Sequence, residues 1–180
     1  YTWYYRLNTL STWASTVLVV VLAANFFTAQ FDVVEPKIEV SLTSPVEYYK
    51  LKTPDHPYQR QKDFTYKDYA PAFLDIKADL RPLFNWNVKH IYFYVAATYK
   101  TSANRYNAVT LYDEVIKSVD EANLDVKQVH DFVLREAAGL LGGAKVQLSV
   151  HWEVCPYAGL LTDYSQPSIS FTVPETYVKT

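Results

Sequence analysis

Lys145-Val146-Gln147-Leu148-Ser149-Val150-His151-Trp152-Glu153-Val154 decides the fold class. Its even-numbered residues are apolar and its odd-numbered residues polar. Successive strand side chains point to opposite sides, so this period of two means one buried face and one wet face. The same alternation runs through Lys37–Thr43 and through Leu74–Leu80, where Leu74, Ile76, Ala78 and Leu80 interleave with Asp75, Lys77 and Asp79. Val88–Ala97 is apolar or aromatic on both faces, which predicts a central strand covered twice. Ile169, Phe171 and Val173 predict a short last strand, and Tyr106–Tyr112 a further one. Turn signals separate the runs at Pro54-Asp55-His56-Pro57, Gly142-Gly143, Pro156 and Pro167. Lys50 to Asp68 is polar and is expected to be an exposed loop or mobile excursion. Asp113 to Leu141 stays open: Val126, Val129, His130 and Val133 have helical spacing, yet the same residues suit an irregular strand. With no α/β alternation, the expected architecture is mostly β, an antiparallel sandwich-like domain.

Upstream of these strands the pattern changes. Leu7 to Phe31 carries no charge, with Arg6 and Asp32 as its limits, and apolar density peaks at Val17-Leu18-Val19-Val20-Val21-Leu22. A helix of about 22 residues is roughly 33 Å long, enough to cross the hydrocarbon of a bilayer. Ser11, Thr12, Ser15, Thr16 and Thr28 weaken the run but can bond back to helix carbonyls. Asn25 is the costly residue and marks a candidate helix–helix contact. Trp3, Tyr4 and Tyr5 on one side and Phe31 on the other fit an interfacial belt. An anchor, a cleavable signal peptide and a buried core helix all suit such a run. Its retention in the chain makes the anchor the expected reading. Residues 1–9 then form a short cytosolic N-terminus, 10–31 the transmembrane anchor and 32–180 the β-rich domain. Arg6 before the span, with Asp32 and Glu35 after it, weakly favours a domain on the non-cytoplasmic side. The sequence has no Met, so its numbering is expected to begin after a missing N-terminus.

Composition narrows the chemistry. The 180-residue chain has a formal charge of −2, which offers no electrostatic footprint for nucleic acid. Glycine is scarce, with 4 residues, and no phosphate-cradling loop is present. Cys155 is the one cysteine; it cannot form an internal disulfide, which by itself leans cytosolic, and a buried inert thiol is expected there. His56, His90, His130 and His151 lack metal-ligand spacing, so no metal or cofactor is expected, and His90 and His151 should lie partly exposed on strand faces. Ser149 and His151 share a strand face, as a nucleophile and its base would, but no glycine elbow surrounds the serine. Asp113-Glu114 and Asp120-Glu121 read as solvated turns. No asparagine is followed by Ser or Thr two positions on, so no glycosylation acceptor exists. The aromatic excess at Trp86, Tyr92, Phe93, Tyr94 and Tyr99 exceeds one core face, and Trp86, Tyr92 and Tyr94 are candidate partner-interface residues.

Three spaced stretches carry a resemblance. They are Leu74-Asp75-Ile76-Lys77-Ala78-Asp79-Leu80-Arg81-Pro82-Leu83-Phe84-Asn85-Trp86-Asn87-Val88-Lys89-His90-Ile91-Tyr92-Phe93-Tyr94, then Trp152-Glu153-Val154-Cys155-Pro156-Tyr157-Ala158-Gly159-Leu160-Leu161, then Phe171-Thr172-Val173-Pro174-Glu175-Thr176-Tyr177. Together with the anchor followed by Ile38-Glu39-Val40, they resemble the signal peptidase complex subunit 3 family. Asp113 to Gly143 is the least similar stretch. The resemblance implies a single-pass type II protein of the endoplasmic reticulum membrane with a luminal β-sandwich. It implies a non-catalytic accessory subunit that supports the catalytic signal peptidase subunit in removing signal peptides. Its implied partners are that subunit, other small membrane subunits and membrane lipid. Members can carry a luminal glycosylation site, which this chain lacks, and a luminal domain without a disulfide makes the lone Cys155 intelligible. The signal-like Val17–Ala24 would stay uncleaved because its uncharged span is too long for a signal core. A free-standing hydrolase using Ser149 and His151, and a membrane-tethered β-domain binding lipid or peptide, are the competing readings.

Overall fold

The computed structural model describes residues 2–29, 34–54, 64–136 and 139–178. Its first element is one helix, α1, Trp3–Ala29. Apolar residues lie all round it, the pattern of a helix surrounded by apolar material rather than packed on one side. Its 27 residues extend about 40 Å. The hydroxyls of Thr9, Thr12, Ser15, Thr16 and Thr28 each donate to the carbonyl four residues earlier, at 2.9–3.0 Å. Polar groups satisfied within their own helix cost little in hydrocarbon. The helix lies outside the protein core, which removes the core-helix reading and leaves a segment long and apolar enough to cross a membrane.

Ten strands follow among the described residues: β1 Lys37–Leu42, β2 Tyr49–Pro54, β3 Phe64–Ala70, β4 Leu74–Asp79, β5 Val88–Tyr99, β6 Asn107–Ile116, β7 Asn123–Val129, β8 Leu134–Glu136, β9 Lys145–Pro156 and β10 Thr162–Thr172. They form antiparallel sheets in the orders β10-β9-β5-β6, β1-β4-β7 and β2-β3-β8. Alternate residues point inward as the sequence pattern requires. Ile91, Phe93, Val95 and Ala97 from β5, Val146, Leu148, Val150 and Trp152 from β9, and Leu74, Ile76 and Ala78 from β4 share one core cluster. Each fully buried Leu, Ile or Phe side chain contributes about 1.5–3 kcal/mol. The mostly β, antiparallel expectation holds, with a small third sheet added.

Several local expectations change. The ends of the Lys50–Asp68 excursion are not loop: β2 pairs with β3 from Tyr49↔Tyr69 to Pro54↔Phe64. No apolar alternation announces that ladder, because Lys50 and Leu51 on β2 are both exposed and β3 buries the charged Asp68. Asp55, His56 and Pro57 lie outside the described residues, as do Phe31 and Asp32 at the end of the anchor. Residues Asp113–Ile116 continue β6 rather than turning, so Asp113 and Glu114 are half-buried on a strand. Pairing with β5 outweighs the turn signal of two adjacent carboxylates. Asp120 and Glu121 do sit in an exposed 3₁₀ turn. Val126 and Val129 belong to β7, the irregular-strand alternative. The irregularity is a register shift opposite Leu74/Ile76, where Gln128 adopts φ 54° and its N–H donates to Asp75 Oδ1 at 2.9 Å. The last strand is long, not short, because Thr162–Pro167 pairs with β9 before the apolar residues begin. β5 is central but fully covered on one face only; Tyr92 and Tyr94 on its other face stay half-buried. Cys155 is half-buried rather than buried, because β9 leaves the core beyond Trp152.

Candidate functional site

Two surfaces collect the residues singled out in the sequence. The first is the junction where α1 meets the β-domain. It is built around Asn87, in the turn before β5. The N–H of Ala158 donates to Asn87 Oδ1 at 3.0 Å, and Asn87 Nδ2 donates to the Ala158 carbonyl at 2.8 Å. A backbone N–H can only donate and a carbonyl only accept, so this pair fixes which way the Asn87 amide faces. Asn87 Oδ1 then has capacity for one more donor, and Asn25 Nδ2 supplies it at 2.8 Å. The Asn87 N–H donates to Asn85 Oδ1 at 2.9 Å, and its carbonyl accepts from the Tyr157 N–H at 2.7 Å. Every polar atom of Asn87 is therefore satisfied, which allows its burial.

Beside it Phe26 seats on Gly159. A Cβ at Gly159 would lie 2.4 Å from Phe26 Cδ2, and the glycine adopts φ 123°. Both the close approach and the backbone conformation require glycine there. A cleft of about 380 Å³ opens next to the junction, lined by Phe26, Leu83, Val88, Trp152, Val154 and Leu160 among others.

The second surface is the outer face of the four-stranded sheet. Tyr94 lies opposite Asp113 on β6 and His151 on β9; Tyr92 lies opposite Val115 and Glu153. Tyr94 stacks on His151 at 4.7 Å with the rings nearly parallel, and Tyr92 lies against Tyr94 at 5.3 Å with the rings tilted by 31°. Tyr92 OH donates to Asp113 Oδ2 at 3.3 Å. Burial, and then the Asp113 carboxylate, push the Tyr92 phenol above its ordinary pKa. For Tyr94 the causes are burial, then the Asp163 and Glu153 charges. Both phenols thus stay neutral donors, with carboxylates round them. Trp86 does not share this face. It is exposed in the turn at the junction, one residue from Asn87.

Ser149 Oγ and His151 Nε2 are 2.9 Å apart. A nucleophile–base pair also needs a group that orients the base. His151 Nδ1 is buried and meets no hydrogen-bond partner among the described residues. The ring is held instead by its stack on Tyr94. Among the described residues no cluster of His, Cys, Asp or Glu is arranged to hold a metal ion.

Asn87, Ala158 and Gly159 were not singled out as site residues. The Asn85-Trp86-Asn87 run and a lone glycine in a glycine-poor chain were the available signals. Their joint action depends on a contact 71 residues apart in sequence.

A family model described as "Signal peptidase subunit" matches residues 1–176. Some curated relatives are similar over nearly the whole chain and others over a little more than half of it. The signal peptidase complex subunit 3 of Gallus gallus is 33% identical over 97% of this chain and 95% of its own length. That of Dictyostelium discoideum is 28% identical over the same shares, 97% and 95%. The Homo sapiens protein of that name is 37% identical over 57% of this chain and 59% of its own length.

Proposed function

This chain belongs to the signal peptidase subunit family, and from that membership we propose that it is a non-catalytic accessory subunit of the signal peptidase complex. In this reading it sits in the endoplasmic reticulum membrane and supports the subunit that removes signal peptides. The observation that carries the proposal is the extent of the match, residues 1–176, which takes in the apolar helix and the β-domain together. The apolar helix α1 serves as the single membrane span, with Val17–Leu22 in its most apolar stretch, and the β-domain that follows it lies in the lumen. That orientation is the one the family resemblance implies; flanking charge adds nothing to it, because Arg6 before the span is matched by Lys37 after it.

The outer sheet face is the surface offered to the catalytic subunit. Tyr92 and Tyr94 supply a rigid aromatic centre, and Asp113, Glu153 and Asp163 a carboxylate rim suited to a partner that presents cations. The cleft beside Phe26 favours a second reading, in which the tethered domain holds a lipid tail or an apolar peptide.

Two measurements test the first reading. The purified full chain should fail to cleave a signal-bearing precursor, while membranes depleted of it should process that precursor more slowly. Cleavage by the chain alone would overturn the accessory role. A Tyr92→Ala/Tyr94→Ala chain should fold and insert but lose co-purification with the catalytic subunit. Undiminished recovery would remove the outer face from the interface.

A further inference from the structure

Counting along α1 from its one charged residue, Arg6, gives the depth of the junction. A hydrocarbon layer of about 30 Å corresponds to about 20 helical residues at 1.5 Å each, which ends near Phe26. A tilt of about 20° moves that limit by about one residue. Asn25 and Phe26 therefore lie at the boundary between hydrocarbon and headgroups. Whatever they touch sideways lies there too, and they touch Asn87 and Gly159.

The residues flanking those two contacts form an unusual surface. Trp86 is 63% exposed, Tyr157 71%, Leu160 75% and Leu161 54%. Two rings and two leucines on adjoining turns leave an apolar patch bare beside the end of a membrane-length helix. Trp and Tyr favour this depth because their rings are apolar and their N–H or O–H can stay wet.

We infer that the turns around Trp86 and Tyr157–Leu161 dip into the headgroup–acyl boundary of the bilayer that α1 crosses, so the β-domain rests on lipid as well as hanging from its helix. The occupant of the patch is the phospholipid of that same leaflet. The Asn25–Asn87–Ala158 bonds hold the patch at that depth, because they tie the turns to a fixed position along the helix. Trp86 is thereby a lipid contact, separate from the partner face at Tyr92 and Tyr94. The inference rests on α1 spanning the bilayer, so its test must report on the span separately.

The full chain, on a Cys155→Ala background, is reconstituted in phosphatidylcholine vesicles with an environment-sensitive fluorophore at one engineered cysteine. Leu160→Cys probes the patch and Val19→Cys the span. Tyr106→Cys probes the far end of β5, about 36 Å from Val88 by strand length. Quenching by lipids carrying a nitroxide near the headgroup should be several times stronger at position 160 than at position 106, with blue-shifted emission at 160. Deep-chain nitroxide should quench position 19. If 19 is quenched and 160 behaves like 106, the lipid contact is overturned and the span stands. If 19 is not quenched, both fall. The same labels are read in the co-purified complex in vesicles. Quenching at 160 that disappears there means a protein partner covers the patch, which also overturns the inference.

Discussion

Asp68 and Asn87 are the two polar side chains buried among the described residues, at 1% and 3% exposure, and they join different things. Asp68 ends β3. Its carboxylate accepts from Tyr48 OH at 2.5 Å, Tyr177 OH at 2.9 Å and the Leu141 N–H at 3.0 Å. The Tyr48 and Tyr177 rings stack at 4.4 Å, and the Val178 N–H donates to the Tyr48 carbonyl. All these donors lie in the β-domain, so Asp68 ties the C-terminal stretch to the third sheet. Asn87 is neutral and both donates and accepts, and its partners include the membrane-length helix. A carboxylate suits a dry hub that collects donors within one domain. A neutral amide suits a hub that must donate and accept at once, donating to a backbone carbonyl on one side and accepting from two N–H donors on the other. The stretches that carry the family resemblance divide accordingly. Residues 74–94 and 152–161 meet at Asn87, and the Phe171–Tyr177 stretch ends on Asp68.

The largest test of this contrast is Asp68→Ala. It strands the Leu141 N–H and leaves Tyr48 OH only its 3.3 Å contact with Tyr177 OH, and should destabilise the β-domain by about 2–5 kcal/mol. Denaturant unfolding of the detergent-solubilised chain reads this, and a loss under about 1 kcal/mol would show that the hub is not structural. Next is Asn87→Leu, which leaves both backbone groups of Ala158 and the Asn25 amide unpaired, for about 2–3 kcal/mol. Unlike Asp68→Ala, it should also free the domain from α1, seen as lower fluorescence anisotropy of a domain label. Gly159→Ala should be smaller, about 1–2 kcal/mol from backbone strain, but should displace Phe26 and raise domain mobility in the same assay. Unchanged mobility would mean the ring simply moves aside.

Asn25→Leu removes one bond from the junction and should cost the domain under about 1 kcal/mol. Membrane insertion should persist while recovery of the complex falls. Full recovery would confine Asn25 to a tolerated polar position. The mildest perturbation is pH. Burial, and then the bond to Asp68, hold the Tyr48 phenol well above its ordinary pKa near 10. The unfolded tyrosine ionises first, so this stabilisation is complete below about pH 10 and is lost as pH rises through the folded value. The Asn25–Asn87–Ala158 bonds themselves involve no titrating side chain. Alkaline titration followed by tyrosinate absorbance should therefore loosen the Asp68 hub before it frees α1. Simultaneous release would erase the distinction.

How much was legible follows from what each residue reports. β9, β4 and β1 were readable because one face of each is buried and the other wet. β2 and β3 were not, because their faces do not sort by polarity: Lys50 and Leu51 on β2 are both exposed, and a residue that β3 buries is Asp68. Val126 and Val129 stay open between helix and irregular strand in the sequence because the register shift at Gln128 breaks the period of two. Tyr92 and Tyr94 stood out as surplus aromatics. Asn87 did not, because an asparagine between Trp86 and Val88 reads as an ordinary turn residue.

The uncharged length of α1, the β class and the family were determined by the sequence alone. Each rests on a pattern local to one stretch, or on stretches whose order along the chain suffices. Only the tertiary structure decided that two of those stretches close on Asn25 and Phe26, that Asp68 rather than a loop receives Tyr177, and that Trp86 lies apart from Tyr92 and Tyr94. Hydrogen bonds between residues 62 to 109 positions apart are set by how the sheets and the helix pack, and no local period encodes them.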